Sequence, residues 1–196
     1  MRRISSQILD DNYSTALAGP SKDFEESSSS LLFAFLLAII IIYLILAAQF
    51  ESFRDPFIIL FTIPLAIGGA LLSLWVFNKT LNIFSQIGII MLIGLVTKNG
   101  ILIVEFANQK KIQGLDKFNA VREAAASRLR PILMTSFSTI LGTLPIALAL
   151  GAGAGSRVSM GIAVVGGLIF STFFTLFVVP ATYVYFSSKK ANIIKD

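Results

Sequence analysis

The sequence has no cysteine and no histidine in its 196 residues. Their absence excludes disulfide frameworks, thiol nucleophiles, thiolate and imidazole metal sites, and any histidine proton shuttle. Charge is also scarce, at 14% of residues, against about 25% in an ordinary soluble domain. The first 30 residues lack an apolar core and carry Asp10, Asp11, Asp23, Glu25 and Glu26, so the start does not read as a cleavable signal peptide. No His-Glu-x-x-His, no Gly-x-Ser-x-Gly and no pair of aspartates inside an apolar run is present, so an intramembrane enzyme is not expected.

What is abundant is apolar surface. Hydrophobic residues make up 55% of the chain and mean hydropathy is +0.81, more than one soluble core of this size needs. Five apolar runs, at 31–49, 56–77, 83–107, 132–150 and 158–186, each approach or exceed the roughly 20 residues that cross hydrocarbon as a helix. Barrel strands would alternate lipid-facing and lumen-facing residues over about 10-residue segments, and these runs do not alternate. The expected fold is an all-α membrane protein, a five-helix transmembrane bundle, with membrane lipid as its solvent.

The net charge of +5 does not point to nucleic acid, because the basic residues gather in particular loops. Arg2, Arg3, Lys22, Lys79 and Arg157 fall on one side of the spans. Arg54, Lys110, Lys111, Lys117, Arg122, Arg128, Arg130, Lys189, Lys190 and Lys195 fall on the other. The richer side is expected to be cytoplasmic, which puts the N-terminus outside and the C-terminus inside. An outside N-terminus is usually delivered by an earlier signal or span, so the charge pattern hints at something upstream. The stretch 108–131 has Leu115, Phe118, Val121 and Ala125 at helical spacing and reads as an amphipathic connector lying at the membrane surface. Trp75, Tyr43, Tyr183 and Tyr185 fall near span ends, where aromatic rings anchor. Ala66, Ala70, Gly88, Gly94, Gly100, Gly161, Gly166 and Gly167 are expected at helix contacts, and Gly151–Gly155 at a tight external turn.

Lys98 is the one basic residue within the five runs. Nine residues from the end of its run, it lies about 13 Å deep, beyond easy snorkelling. A charge there costs about 2.5–3.5 kcal/mol on the insertion scale and marks ion or proton handling by default. Glu105 is on the same helix face but two turns away, about 10 Å along the axis, and is expected to cap the inner end of the helix. Arg128 and Thr135 are seven apart and share a face if their helix starts before Pro131.

The stretches "AAQFESFRDPFIILFTIPLAIGGALL", "IGLVTKNGILIVEFANQ", "RLRPILMTSFSTILGTLPIAL" and "GAGAGSRVSMGIAVVGGLIFSTFFTLFVVPATYVYF" together resemble the last five transmembrane helices of a resistance-nodulation-division efflux pump of the hydrophobe/amphiphile, AcrB-like branch. The resemblance runs from about Ala18 to Phe186. It implies a drug/proton antiporter of the bacterial inner membrane, a homotrimer joined to a periplasmic adaptor and an outer-membrane channel. Its energy source would be the proton-motive force, with no bound cofactor or metal. It also implies a proton relay in which Lys98, Arg128 and Thr135 act with two aspartates from an earlier helix. An ammonium beside carboxylates favours their charged form, and protonating one loosens its hold on the lysine. Two helix arrangements then become available to a proton gradient.

The departures from that family are expected to matter as much. Members run to about a thousand residues and twelve spans, whereas seven spans, the aspartate pair and nearly all of the drug-binding domain have no counterpart here. The expected organisation is a periplasmic segment at 1–30, the closing edge of that domain, then the bundle at 31–186 and a cytoplasmic tail at 187–196. The expected function is therefore part of a proton-driven exporter, completed by the missing N-terminal half. The alternative is a stand-alone structural or regulatory membrane protein that docks onto intact pumps. The metal-exporting branch of the family fits less well, because Met1, Met91, Met134 and Met160 are scattered and form no soft-ligand cluster.

Overall fold

The computed structural model describes residues 20–150 and 154–187, and the described elements are all helical. The expectations for 1–19, for residues 151–153 of the glycine turn expected at 151–155 and for the tail at 188–196 lie outside the described residues. Helix α1 covers Pro20–Phe50, with proline at the first helical position, where its missing N–H costs nothing. Its membrane-compatible part is Ser30–Phe50. Helices α2 (Arg54–Leu60) and α3 (Thr62–Val76) form one interrupted span. Pro64 supplies no N–H for the carbonyl of Leu60, which accounts for the irregular residue at Phe61.

Helix α4 covers Ile83–Ile112 and opens with a capping box, the Asn82 side chain accepting from Ser85 N–H and the Ser85 hydroxyl accepting from Asn82 N–H. It ends at Gly114, whose φ of +96° suits only a residue without Cβ. Helix α5 runs without a break over Lys117–Ala147, through Pro131 and Pro145, and α6 spans Val158–Phe186. The stretch 108–131 is thus not a connector of its own. Its first five residues extend α4, and 117–130 are the opening turns of α5. The expected apolar stripe is shifted as well: Ala120, Val121 and Ala124 face the core, while Phe118 is exposed. Short residues let this end of α5 pack closely, and the four-residue loop forces α4 and α5 antiparallel.

Helix α6 is the hub, packing on α3, α4 and α5. At Gly161 an added Cβ would collide with the backbone of Ala147, so the start of α6 and the end of α5 meet at a separation only glycine permits. Gly94 makes no such contact: nothing lies within 4 Å of the position a Cβ would take, and the residue is exposed. Trp75 and Tyr185 are exposed near opposite ends of the bundle, as interface anchors should be. Tyr183 is not an anchor but a fully buried core residue. Its hydroxyl donates to Asn108 Oδ1 at 2.6 Å, and Asn108 Nδ2 donates to Asp55 at 2.8 Å. That chain joins α6, α4 and α2 at the end of the bundle bearing the α4–α5 loop.

Two apolar clusters make the core. One, towards the loop end, contains Ile58, Ile59, Ile103, Val104, Ile132 and Val179. The other, towards the far end, contains Ala66, Ala70, Leu92, Val96, Val164 and Leu168. Between them α3 to α6 each carry buried polar residues: Thr62 at the head of α3, Thr97 and Asn99 on α4, Ser136 on α5, and Ser171, Thr172 and Thr175 on α6. The bundle therefore has a polar waist at mid-height.

Candidate functional site

Lys98 lies at the midpoint of α4, about 21 Å along the axis from either end. It sits at the level of the polar waist, next to buried Asn99, and is itself exposed. Ile87, Met91, Gly94, Lys98 and Glu105 are all exposed, and their spacing of three, four and seven places them on one stripe along α4. Because α4 continues to Ile112, Glu105 lies two turns short of the terminus and does not cap it.

The waist fixes how this stripe meets α5. Asn99 Nδ2 donates to Ser136 Oγ at 3.3 Å, so Asn99 faces α5 and Ser136 faces α4. Stepping back one residue turns a right-handed helix by 100°. In antiparallel neighbours the two steps turn towards the same flank of their seam. Lys98 and Thr135, the residues before Asn99 and Ser136, therefore project to one side. Thr135 is exposed and its hydroxyl donates to the carbonyls of Pro131 and Ile132 at 3.0 and 3.1 Å, leaving its oxygen able to accept.

Two turns towards the loop end, Arg128 and Glu105 occupy the same flank by the same geometry. Arg128 is partly exposed, with its guanidinium 4.4 Å from the centroid of the Phe106 ring, a cation–π contact. Its Nε is buried without a hydrogen-bond partner. Among the described residues Lys98 has no carboxylate partner; the described ion pair is Lys110–Glu123, at 3.1 Å across the α4–α5 hairpin. The structure thus brings Lys98, Arg128 and Thr135 to one open flank on two levels. The waist behind them was not anticipated, since Ser and Thr barely disturb hydropathy, a single Asn does not interrupt a long apolar run, and their pairing spans 36 and 37 residues of sequence.

Elsewhere, a crevice of about 220 Å³ between α1, α3 and α4 is lined by Leu31, Phe35, Ile67, Gln86 and Ile89, away from this tier. No group of three or more metal-capable His, Cys, Asp or Glu side chains occurs among the described residues.

Five helices able to cross a bilayer, closed around a polar waist and charged on one flank at mid-depth, define a multi-pass membrane protein. The sequence matches the AcrB/AcrD/AcrF family over residues 1–187, and the chain belongs to that family, one of the resistance-nodulation-division efflux transporters of the bacterial inner membrane. It is 44% identical, over 96% of its length, to an uncharacterized transporter of Haemophilus influenzae, of which it covers 19%. It is 43% identical to multidrug resistance protein MdtC of Erwinia tasmaniensis, over 87% of this chain and 17% of that protein. Among solved structures it is similar to a heavy metal efflux pump, with a TM-score of 0.77 and 30% identity, over 94% of this chain and 18% of the pump. The chain spans less than a fifth of the length of these relatives, all of them described as transport or resistance proteins rather than enzymes.

Proposed function

We propose that the chain forms one half of the membrane domain of a proton-driven drug exporter, with Lys98, Arg128 and Thr135 as its share of a proton relay. The observation that carries this reading is the ammonium of Lys98, held at mid-helix and exposed on a flank that also presents a second cation. With Glu105 at the level of Arg128, the flank still carries an unmatched cation and a hydroxyl acceptor at the level of Lys98, which suit a neighbouring helix that brings carboxylates, supplied from outside these residues. Such a helix would neutralise a charge that is costly in lipid. Protonation of its carboxylates would then release Lys98 and let the two halves move against one another.

The orientation with the N-terminus periplasmic and the C-terminus cytoplasmic is supported by the Lys and Arg count. Trimeric assembly with a periplasmic adaptor and an outer-membrane channel, and the use of the proton-motive force without a cofactor, are drawn from the family. Amphiphilic drugs as cargo are drawn from the family and from the likeness to multidrug resistance protein MdtC.

The test is Lys98→Ala in the completed transporter, assayed as dye efflux under an imposed proton gradient. Loss of proton-coupled efflux with unchanged membrane insertion is expected. Normal efflux overturns the relay and favours a docking protein, for which the lysine is dispensable.

A further inference from the structure

The flank shared by Lys98 and Thr135 exists only while α5 keeps its rotation about its own axis at this level, and beyond Ile132 few buried side chains hold that rotation. Only 11% of its most apolar window is buried, against 56% for α4 and 50% for α6. Beyond Ile132 the one buried residue on α5 is Ser136. Ala120, Val121, Ala124 and Ile132 hold the loop end of α5 in the core, but lipid does not discriminate among apolar faces, so the half beyond Ile132 could turn with little loss of hydrophobic free energy. The close approach of Gly161 to Ala147 sets how near the helices come but grips only backbone and a methyl group.

Ser136 does more. Its Oγ accepts from Asn99 Nδ2 of α4 at 3.3 Å and from Thr172 Oγ1 of α6 at 3.0 Å, and all three side chains are buried. Hydrogen bonds to two different helices fix a rotation, whereas a bond to one would fix only a distance. Turning α5 by one residue breaks both bonds and moves Thr135 by 100° off the flank.

We propose that Ser136, tied to Asn99 and Thr172, is the positioning residue that sets the rotation of α5 and keeps Thr135 on the same flank as Lys98. Its functional meaning rests on the relay reading above, while its geometry is measurable without transport.

The absence of cysteine supplies a clean background. With Lys98→Cys and Thr135→Cys in the full chain, in membranes, a short bifunctional methanethiosulfonate is expected to cross-link the pair. Adding Ser136→Ala is expected to slow cross-linking measurably, within the roughly tenfold shift in the ratio of orientations that losing two net hydrogen bonds permits. Ser136→Thr, which keeps the hydroxyl, restores the rate. A control pair at the loop end, Lys111→Cys and Ser187→Cys, whose parent side chains meet at 3.2 Å, keeps its rate throughout. Should Ser136→Ala disturb the control, Thr172→Val decides, since it removes one donor at nearly constant volume and is expected to slow the test pair alone. A test pair that never cross-links, or that cross-links at the parent rate in Ser136→Ala or Thr172→Val, overturns the proposal. Normal efflux by Lys98→Ala would sink the relay reading and leave these rates untouched.

Discussion

At the scale of single residues, the bundle separates positions that look alike in sequence. Gly94 and Gly161 both sit in apolar helices, yet only Gly161 has backbone where a Cβ would go. Gly161→Val is expected to cost about 1–3 kcal/mol through overpacking, read as a lower melting temperature in detergent, while Gly94→Val leaves it unchanged. Equal melting of the two variants would show that the α5–α6 contact is not close. Asp55 poses a different case, a carboxylate only 8% exposed that receives the amide of Asn108. Asp55→Ala leaves the Asn108 amide N–H without its acceptor, at a cost of about 1–3 kcal/mol. Tyr183→Phe removes only the end of the chain and is expected to cost about 1 kcal/mol. If Tyr183→Phe destabilised the bundle more than Asp55→Ala, the chain would be anchored at the tyrosine instead.

At the scale of elements, insertion and packing are carried by different helices. The apolar window of α1 is the most hydrophobic, with a mean hydropathy of 3.2, and the least buried, at 6%. Removing residues 1–50 is therefore expected to leave α2–α6 inserted and folded, with a cooperative melt within a few degrees of the parent. Collapse of that melt would mean that α1 holds the core through contacts such as that of Leu46. The same division explains what could be read from the sequence. Each span was legible because lipid demands continuous apolarity over one local stretch. The continuity of α5 was not, because its first turns are polar enough to read as a separate amphipathic connector at the membrane surface and are buried only along the short side chains Ala120, Val121 and Ala124. Lys98 was legible as an anomaly of depth. Its companionship with Thr135 on one flank was not derivable from local spacing, because it depends on the antiparallel pairing of Asn99 with Ser136. Glu105 lost its capping role because α4 continues to Ile112, past the apolar run that announced it, whereas Tyr183 lies near the end of α6 as expected but on the face turned to the core.

At the scale of the whole molecule, one residue is asked to satisfy two states. In the chain by itself the Lys98 flank meets lipid, where an ammonium at mid-helix costs about 2.5–3.5 kcal/mol on the insertion scale. In a completed transporter the same group would meet carboxylates, and its charge would be what couples the two halves. Lys98→Met keeps the length and flexibility of the side chain and removes the charge. It is expected to stabilise the isolated chain, raising its melting temperature or its inserted fraction, and to abolish proton-coupled efflux in the completed transporter. A residue kept for packing would show the same sign in both settings. Destabilisation of the isolated chain by Lys98→Met would mean that the lysine has a structural partner within these helices, and the open flank would lose its claim as the place where a carboxylate-bearing helix docks. The opposite signs, measured on the same substitution, would tie the cost of the buried charge to the function that retains it.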